Sequence, residues 1–474
     1  MSFPALPRRR FPARRGRRLM PALALALCGA AAAGTAPDLV AADGGGAPLR
    51  LSLAAALERA RAVSAHLAEL RSLTAAAGAG LSGARAERLP QLDASAGYTR
   101  QSDVPQLSIN LPGVGFETVF PNIPDSYRGH LGLALPLYTG GRIGKTVTAS
   151  AMQLDAANQD VVSGHADLTL ETTTAYWSLA TARDSARVLT ASLADFDAHL
   201  KEAHDRRDAG LAASNEVLAV EVQRDQAELA RLQAVSNADV ANANLLRLLD
   251  LPPETRIEPD EPMAEPPLDG ARQPAGTPLT GNEPLVELVA AAIAARPEMA
   301  ALRSRIAGGR ASAAATRATL RPQASLAAGY DYDNPNPHIL PLEERWRSSW
   351  SVGATVSLSL FDGGRTAAAA AQIDAQTDAL GHRLEDLERR VRLEVTQRLL
   401  ELATARQGVA VAGRARDSAQ ENVRVAGDRY RAGVIPSSEL LDAETALLRA
   451  GLDLTNAMAQ VRLALANLAR AAGR

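Results

Sequence analysis

The run Thr139-Gly140-Gly141-Arg142-Ile143-Gly144-Lys145-Thr146 comes within one residue of the phosphate-binding pattern G-x-x-x-x-G-K-[ST], in which backbone amides cradle a polyphosphate and the lysine reaches its outer oxygens. Thr139 stands where the first glycine belongs. A second stretch of the same design, Asp362-Gly363-Gly364-Arg365-Thr366-Ala367-Ala368-Ala369, lacks the lysine altogether, so what the two share is a tight turn from strand to helix and not a nucleotide site. Asp331, Asp333 and Asn334 supply oxygens at the spacing of a calcium loop, but Pro335 and the missing later glutamate break that pattern, and the segment reads as a solvated acidic loop. The histidines are scattered without metal-ligand spacing, and no Gly-x-Ser-x-Gly is present. No catalytic, cofactor or metal site is expected. The pair that keeps its interest is Glu439 and Asp442, three residues apart and therefore on one face of a helix.

The elements that carry these residues are duplicated. Leu179-Ala180-Thr181-Ala182-Arg183 recurs as Leu402-Ala403-Thr404-Ala405-Arg406, Gly140-Gly141-Arg142 as Gly363-Gly364-Arg365, and Ala209-Gly210 as Ala432-Gly433, all at an offset of 223. Upstream, Pro90-Gln91 matches Pro322-Gln323 and Ala96-Gly97-Tyr98 matches Ala328-Gly329-Tyr330 at an offset of 232. The nine-residue difference is an insertion in the first copy, placed by its Pro, Gly and Asn content in a loop tip around Pro105 to Pro124. Each unit is predicted as helix, strand, loop, strand, long helix, turn, helix.

Residues 1–42 precede these units. Seven arginines and no acid in the first 18 residues, then the apolar run Leu19–Leu27, make a secretory signal that is cut after Ala42 or, alternatively, near Ala33. Leu25-Ala26-Leu27-Cys28-Gly29 resembles a lipoprotein signal with Cys28 as the lipidated residue, although Leu27 stands where such signals carry a small side chain. Without residues 1–42 the chain has 44 basic and 52 acidic residues, a net charge of −8 that argues against a nucleic-acid partner. No stretch after the signal has 18 consecutive apolar residues, so contact with a membrane falls to strands.

Four segments suit that role. Leu131, Leu133, Leu135 and Leu137 alternate with Gly132, Ala134, Pro136 and Tyr138, and the second copy keeps the phase with Ala354, Val356, Leu358 and Leu360. Leu92, Ala94, Ala96 and Tyr98, and likewise Ala324, Leu326, Ala328 and Tyr330, form one face of the preceding strands. The strands are predicted at 90–101, 129–138, 323–333 and 348–361, each about 10 residues or more, which crosses hydrocarbon when tilted. Tyr138 and Phe361 close two of them and Trp346 and Trp350 open another, as suits a membrane interface. Four strands cannot close a barrel, since about eight is the minimum, so several chains are required.

Arg142–Asp208 runs 67 residues without proline, and so does Arg365–Arg431; as helices they reach about 100 Å. Gly210 and Gly433 stop them, and a returning helix starts at Ser214 or Ser437, read as N-caps. The returning helix, Ser214–Leu249, and the helix leading into the first strand, about Ala60–Arg88, together match the long helix if stacked end to end. The first repeat spans 43–251 with its hairpin at 142–249, and the second spans 285–474 with its hairpin at 365–472. Residues 252–284, with nine prolines, form an irregular belt between them.

The order of elements, the doubled Gly-Gly-Arg junctions, the Leu-Pro-Gln-Leu run leading into the strand and the repeated Arg-x-x-Ala-Gly tip resemble the TolC-like outer membrane efflux proteins over residues 50–474. The resemblance implies a mainly α fold with a membrane β part: a homotrimer whose twelve-stranded barrel lies in the lipid of the Gram-negative outer membrane, continued by a twelve-helix periplasmic tunnel. It implies a passive exit duct for a tripartite efflux or type I secretion system, docked through tips around Gly210 and Gly433, with Arg206, Arg429 and Tyr430, onto a periplasmic adaptor and an inner-membrane transporter. Glu439 and Asp442 align with the acidic rings at the tunnel's periplasmic constriction; Glu216 is their counterpart in the first copy, where Ala219 replaces Asp442. Ile435 stands near the place of the family's basic gate residue. The alternative is a soluble periplasmic coiled-coil scaffold, which needs hairpins but no lipid-facing strands.

Overall fold

The computed structural model describes residues 48–111, 115–262, 284–339 and 342–474. The signal segment with Cys28 and the middle of the proline-rich belt lie outside the described residues. In chain order the elements are β1 (Leu49–Leu51), α1 (Leu53–Val63), α2 (Ala65–Ala86), β2 (Gln91–Arg100), β3 (Leu107–Leu111), β4 (Gly115–Phe120), β5 (Asp125–Tyr138), α3 (Arg142–Asp208), α4 (Ser214–Leu249), β6 (Ile257–Pro259), α5 (Leu285–Ala295), α6 (Pro297–Ala318), β7 (Gln323–Asn334), β8 (Arg347–Ser357), α7 (Arg365–Arg431) and α8 (Ser437–Ala471). Among the described residues no helix is long and apolar enough to cross a membrane.

The two 67-residue helices run between the residues expected for them. Each ends in a Schellman turn: Gly210 N–H donates to Arg207 and Leu211 N–H to Arg206, and Gly433 and Val434 repeat this on Tyr430 and Arg429. Both glycines sit at positive φ, 74° and 71°, where a side chain is strained.

Several local features differ from expectation. The helix leading into the first strand is two helices, because the Ser64 backbone turns extended and its hydroxyl accepts from Leu67 N–H to cap a new start. Arg296 and Pro297 make the same break between α5 and α6. Ser214 and Ser437 are first helical residues; Ala213 and Pro436 hold the N-cap positions, and the Ser437 hydroxyl is engaged elsewhere. The insertion is not a bare loop but a hairpin, β3 paired with β4. The belt is partly regular, since β6 pairs in parallel with β1. Asn242 fixes it to α4 by donating to the Thr255 carbonyl and accepting from Ile257 N–H, and Tyr176 of α3 donates to the Leu51 carbonyl.

Stacking of the short helices is borne out in its main contact. Arg59 of α1 donates to the carbonyls of Leu249 and Asp250 at the C-terminus of α4, satisfying groups a helix end leaves open. The rods are cemented by small and branched side chains, as in the cluster of Val391, Val395, Leu402, Val461 and Leu468 between α7 and α8.

The four long strands form one antiparallel sheet in the order β2-β5-β7-β8, leaving β2 and β8 as open edges. Its register brings the four predicted apolar faces together: Leu92, Leu133, Ala328 and Val352 form one rung, and Ala94, Leu131, Tyr330 and Trp350 the next. Tyr98, Tyr127, Trp346 and Tyr332 gather at the far end of that face, ring centroids 5.0–5.9 Å apart. The opposite face carries Ser95, His130, Asp331 and Ser349 on one rung and Gly97, Arg128, Asp333 and Arg347 on the next. Asp331 and Asp333 lie in β7, within the strand predicted at 323–333, and the ladder with β5 runs on through Asn334, so the acidic run is not a loop. β5 starts four residues earlier than expected, and β8 stops at Ser357, leaving Leu358 and Leu360 outside it; Pro322, just before the partner of Ser357, has no N–H to prolong the ladder.

The strand-to-helix junctions use Gly140-Gly141 and Gly363-Gly364, all at positive φ. Space decides the role of Gly140, since a Cβ there would stand 2.6 Å from Arg321 Cβ and 2.9 Å from the Ala318 carbonyl. The Arg321 guanidinium donates to the Gly140 carbonyl and ties the junction to the turn before β7 of the second repeat. Gly140→Ala is expected to destabilise the protein by about 1–3 kcal/mol through backbone strain and this clash. A heat-denaturation midpoint unchanged from wild type would refute that account.

Candidate functional site

The sequence-predicted residues converge at the free ends of the two hairpins. Gly210 and Gly433 are exposed at the tips, with Leu211 and Val434 beside them 73% and 65% exposed. Those two apolar side chains occupy equivalent places in the repeats, and sequence reading passed over them. Arg429 is exposed, and among the described residues its side chain makes no contact with another charged group. Glu439 and Asp442 lie in the first two turns of α8, exposed on one face, with side chains that make no hydrogen bond or ion pair among the described residues. Glu216 occupies the first turn of α4 and is half-buried.

Tyr430 and Arg206 do something more specific than line a tip. Arg206 of the first hairpin donates to the Tyr430 carbonyl of the second at 2.8 Å, and its guanidinium lies 4.5 Å from the Tyr430 ring centre. His199 of α3 meets the same ring edge-on at 5.4 Å. His199 is buried and spans the two hairpins: its Nδ1 pairs with Glu444 at 2.8 Å and its Nε2 with the Ser437 hydroxyl at 3.1 Å, both on α8. A carboxylate only accepts, so Nδ1 carries a proton and donates to it. The Tyr430 hydroxyl is buried without a hydrogen-bond partner among the described residues. Burial pushes the Tyr430 phenol above its ordinary range, so it stays neutral.

This five-residue joint between the hairpins was not legible beforehand. His199 and Glu444 are 245 positions apart, and nothing in the spacing of either signals the other. Apolar packing surrounds the joint, with Phe196, Val217 and Leu441 on one side and Ile435, Leu440 and Ala443 on the other. Ile435, at the place expected for a basic gate residue, is therefore a core residue. The geometry can hold two rods together or release them, beside a set of unpaired carboxylates. Ser437 Oγ, His199 and Glu444 stand in the order hydroxyl, imidazole, carboxylate, but Ser437 and His199 are only 2% and 4% exposed, so the row is closed to a substrate and serves the packing of the joint. No cluster of three or more His, Cys, Asp or Glu suited to a metal exists among the described residues.

Comparison with known proteins agrees with this layout. The family model described as outer membrane efflux protein matches residues 53–250 and 288–474, one segment for each repeat. The outer membrane protein OprJ of Pseudomonas aeruginosa is 26% identical over 393 residues, covering 82% of this chain and 77% of OprJ. The fold is similar to that of the outer membrane protein VceC from Vibrio cholerae, with a TM-score of 0.72, 18% identity and coverage of 89% of this chain and 96% of VceC. It is equally similar to the MtrE outer membrane channel of Neisseria gonorrhoeae in its open state, with a TM-score of 0.71, 20% identity and coverage of 89% and 88%.

Proposed function

Because this chain belongs to the family of outer membrane efflux proteins, we propose that it is the passive exit duct of a tripartite system, gated at the tips by Glu439, Asp442 and the joint around Tyr430. It is an outer membrane channel that works as a homotrimer with a periplasmic adaptor and an inner-membrane pump. The observation that carries this reading is the sheet: an apolar face of four strands, a polar face behind it, and two unpaired edges. Three such sheets joined edge to edge give twelve strands, enough to enclose a channel with the polar face inside.

The helices point the same way. Within the chain, α3 of the first repeat packs against α8 of the second. By the repeat, α7 should meet α4 of a neighbour, and those helices do carry exposed, unpartnered leucines and valines, among them Leu393, Leu400 and Val411 on α7 and Leu218, Leu229 and Val240 on α4. A trimer covers them. Energy comes from the pump, which also sets the cargo.

The exposed tips, Gly210 and Gly433 with Leu211, Val434 and Arg429, present backbone turns, apolar side chains and a free cation as a seat for the adaptor. In the trimer Glu439 and Asp442 place six carboxylates around the periplasmic end, with Glu216 behind them, which attracts cations and repels anions. Replacing both Glu439 and Asp442 by alanine is expected to bring the cation-to-anion permeability ratio in planar bilayers down towards one. An unchanged ratio removes the pair from the lining of the pore. A chain that fractionates as a soluble monomer overturns the duct and favours a periplasmic scaffold.

A further inference from the structure

The connection between β7 and β8 is folded down onto the polar face of the sheet. Residues 335–339 are fastened there by Asn336, which is 2% exposed: its Nδ2 donates to the Arg347 carbonyl at 3.0 Å and to the Ser349 hydroxyl at 3.1 Å. Its Oδ1 accepts from His338 N–H at 2.9 Å and closes residues 336–338 into a tight turn. The same Ser349 hydroxyl stands 3.4 Å from His338 Nδ1. Ser349 belongs to the rung of Ser95, His130 and Asp331, so both contacts are made on the polar side, two residues in from the start of β8. The second limb, residues 342–346, turns the same way: Glu343 accepts from Arg347, whose register partner on that face is Asp333. Burial follows this strap. Asp333 is 3% exposed where the strap leaves β7, while Ser351 and Thr355, farther along the same face, are open. Pro337 and His338 are exposed at its crest. Trp346 anchors the connection on the opposite face, against Tyr127 and Tyr332.

We propose that residues 335–339 form a size filter at the extracellular exit of the barrel, with Asn336 as its pin and the three copies of His338 bordering the gap. The inference rests on the channel reading, which makes the polar face the lumen. The strap lies at the end of the sheet remote from the starts of α3 and α7, hence at the exit. Twelve strands spaced about 4.8 Å apart and tilted about 40° enclose a circle about 24 Å across. A further layer of chain on three sides takes about 5 Å each, which leaves about 14 Å or less for cargo. The strap is held by hydrogen bonds and one ion pair, contacts that contribute little net in water, so cargo pressing outward can lift it. Bulky solutes outside meet it closed.

The test places a thiol on the polar wall below the strap, Thr355→Cys, in the full-length protein in intact cells, with Ser102→Cys, exposed beyond the end of β2, as the reference for intrinsic reactivity. Each is treated from outside with N-ethylmaleimide and with a maleimide carried on a polyethylene glycol chain too large for the gap and for the outer membrane. Relative to Ser102→Cys, the polymer should label Thr355→Cys about tenfold or more slowly than N-ethylmaleimide does. Adding Asn336→Ala or Ser349→Ala should raise the polymer rate about tenfold with the N-ethylmaleimide rate unchanged, because each removes contacts of the pin from a strap that exchanges between two states. Heat-resistant trimer checks assembly in every variant. Polymer labelling of Thr355→Cys as fast as that of Ser102→Cys, or a slow polymer rate that neither Asn336→Ala nor Ser349→Ala relieves, overturns the filter alone. Failure of N-ethylmaleimide to reach Thr355→Cys in all three backgrounds sinks the lumen assignment and the channel reading with it.

Discussion

Val352→Arg is expected to abolish accumulation of the trimer in the outer membrane while leaving the periplasmic rods helical. Val352 is 62% exposed on the edge strand β8, in the rung that runs through Leu92, Leu133 and Ala328. If that face meets hydrocarbon, an arginine near its middle costs about 2–4 kcal/mol per chain, and a threefold assembly meets the penalty three times. The control is Thr355→Arg, whose side chain lies on the polar face of the same strand and should be tolerated. Heat-resistant trimer in outer membrane fractions measures the difference, and far-ultraviolet circular dichroism checks the helices. Equal trimer yields for the two variants would show that the faces have been assigned wrongly, and the duct would go with them.

His199→Ala should shift the tips towards separation. The imidazole is the one group that bonds both Ser437 and Glu444 across the hairpins, and its side chain and that of Glu444 are 2% and 11% exposed. Removing it strands a carboxylate and a hydroxyl in a packed joint, at about 1–3 kcal/mol and more for a charged group. At about 3 kcal/mol the balance between joined and parted hairpins changes more than a hundredfold in each chain. The expected readings are a larger single-channel conductance and faster amide hydrogen exchange at the start of α8. Glu444→Gln, which keeps a hydrogen-bonding side chain of the same shape, should fall between wild type and His199→Ala. Wild-type conductance and exchange in His199→Ala would mean that the joint does not hold the tips.

What could be read from the sequence was whatever repeats. The 67-residue helices were legible because they contain no proline and end at glycines, and the strands because alternation with period two survives in both copies. Pairing was not readable strand by strand, yet the phase predicted for each brought Leu92, Leu133, Ala328 and Val352, and Ala94, Leu131, Tyr330 and Trp350, onto one face once the register was known. The features that escaped are short or depend on distant partners. Three-residue strands such as β1 and β6 carry too few residues for a period to show, and the Ser64 break rests on one side chain competing for a backbone amide. For Asp331 the alternation that carries it into the strand at 323–333 competes with the acidic run that reads as a loop, and the partner that keeps it in the ladder, His130, lies 201 positions away. At the tips the exposed carboxylates were legible from spacing, whereas His199 and Glu444 were not, since a buried polar pair leaves no mark on either local segment.

The equal length of α3 and α7 carries a genetic consequence. Both begin at a Gly-Gly turn on the sheet and end at an Ala-Gly tip, so each acts as a ruler, and six of them bring every tip of the assembly to one level. Deleting one heptad from α3 alone, with its match in α4, would shorten alternate rods by about 10 Å and leave a crenellated rim on which a ring-shaped partner could not sit flush. Insertions and deletions in these rods should therefore survive only in pairs, one in each half of the gene.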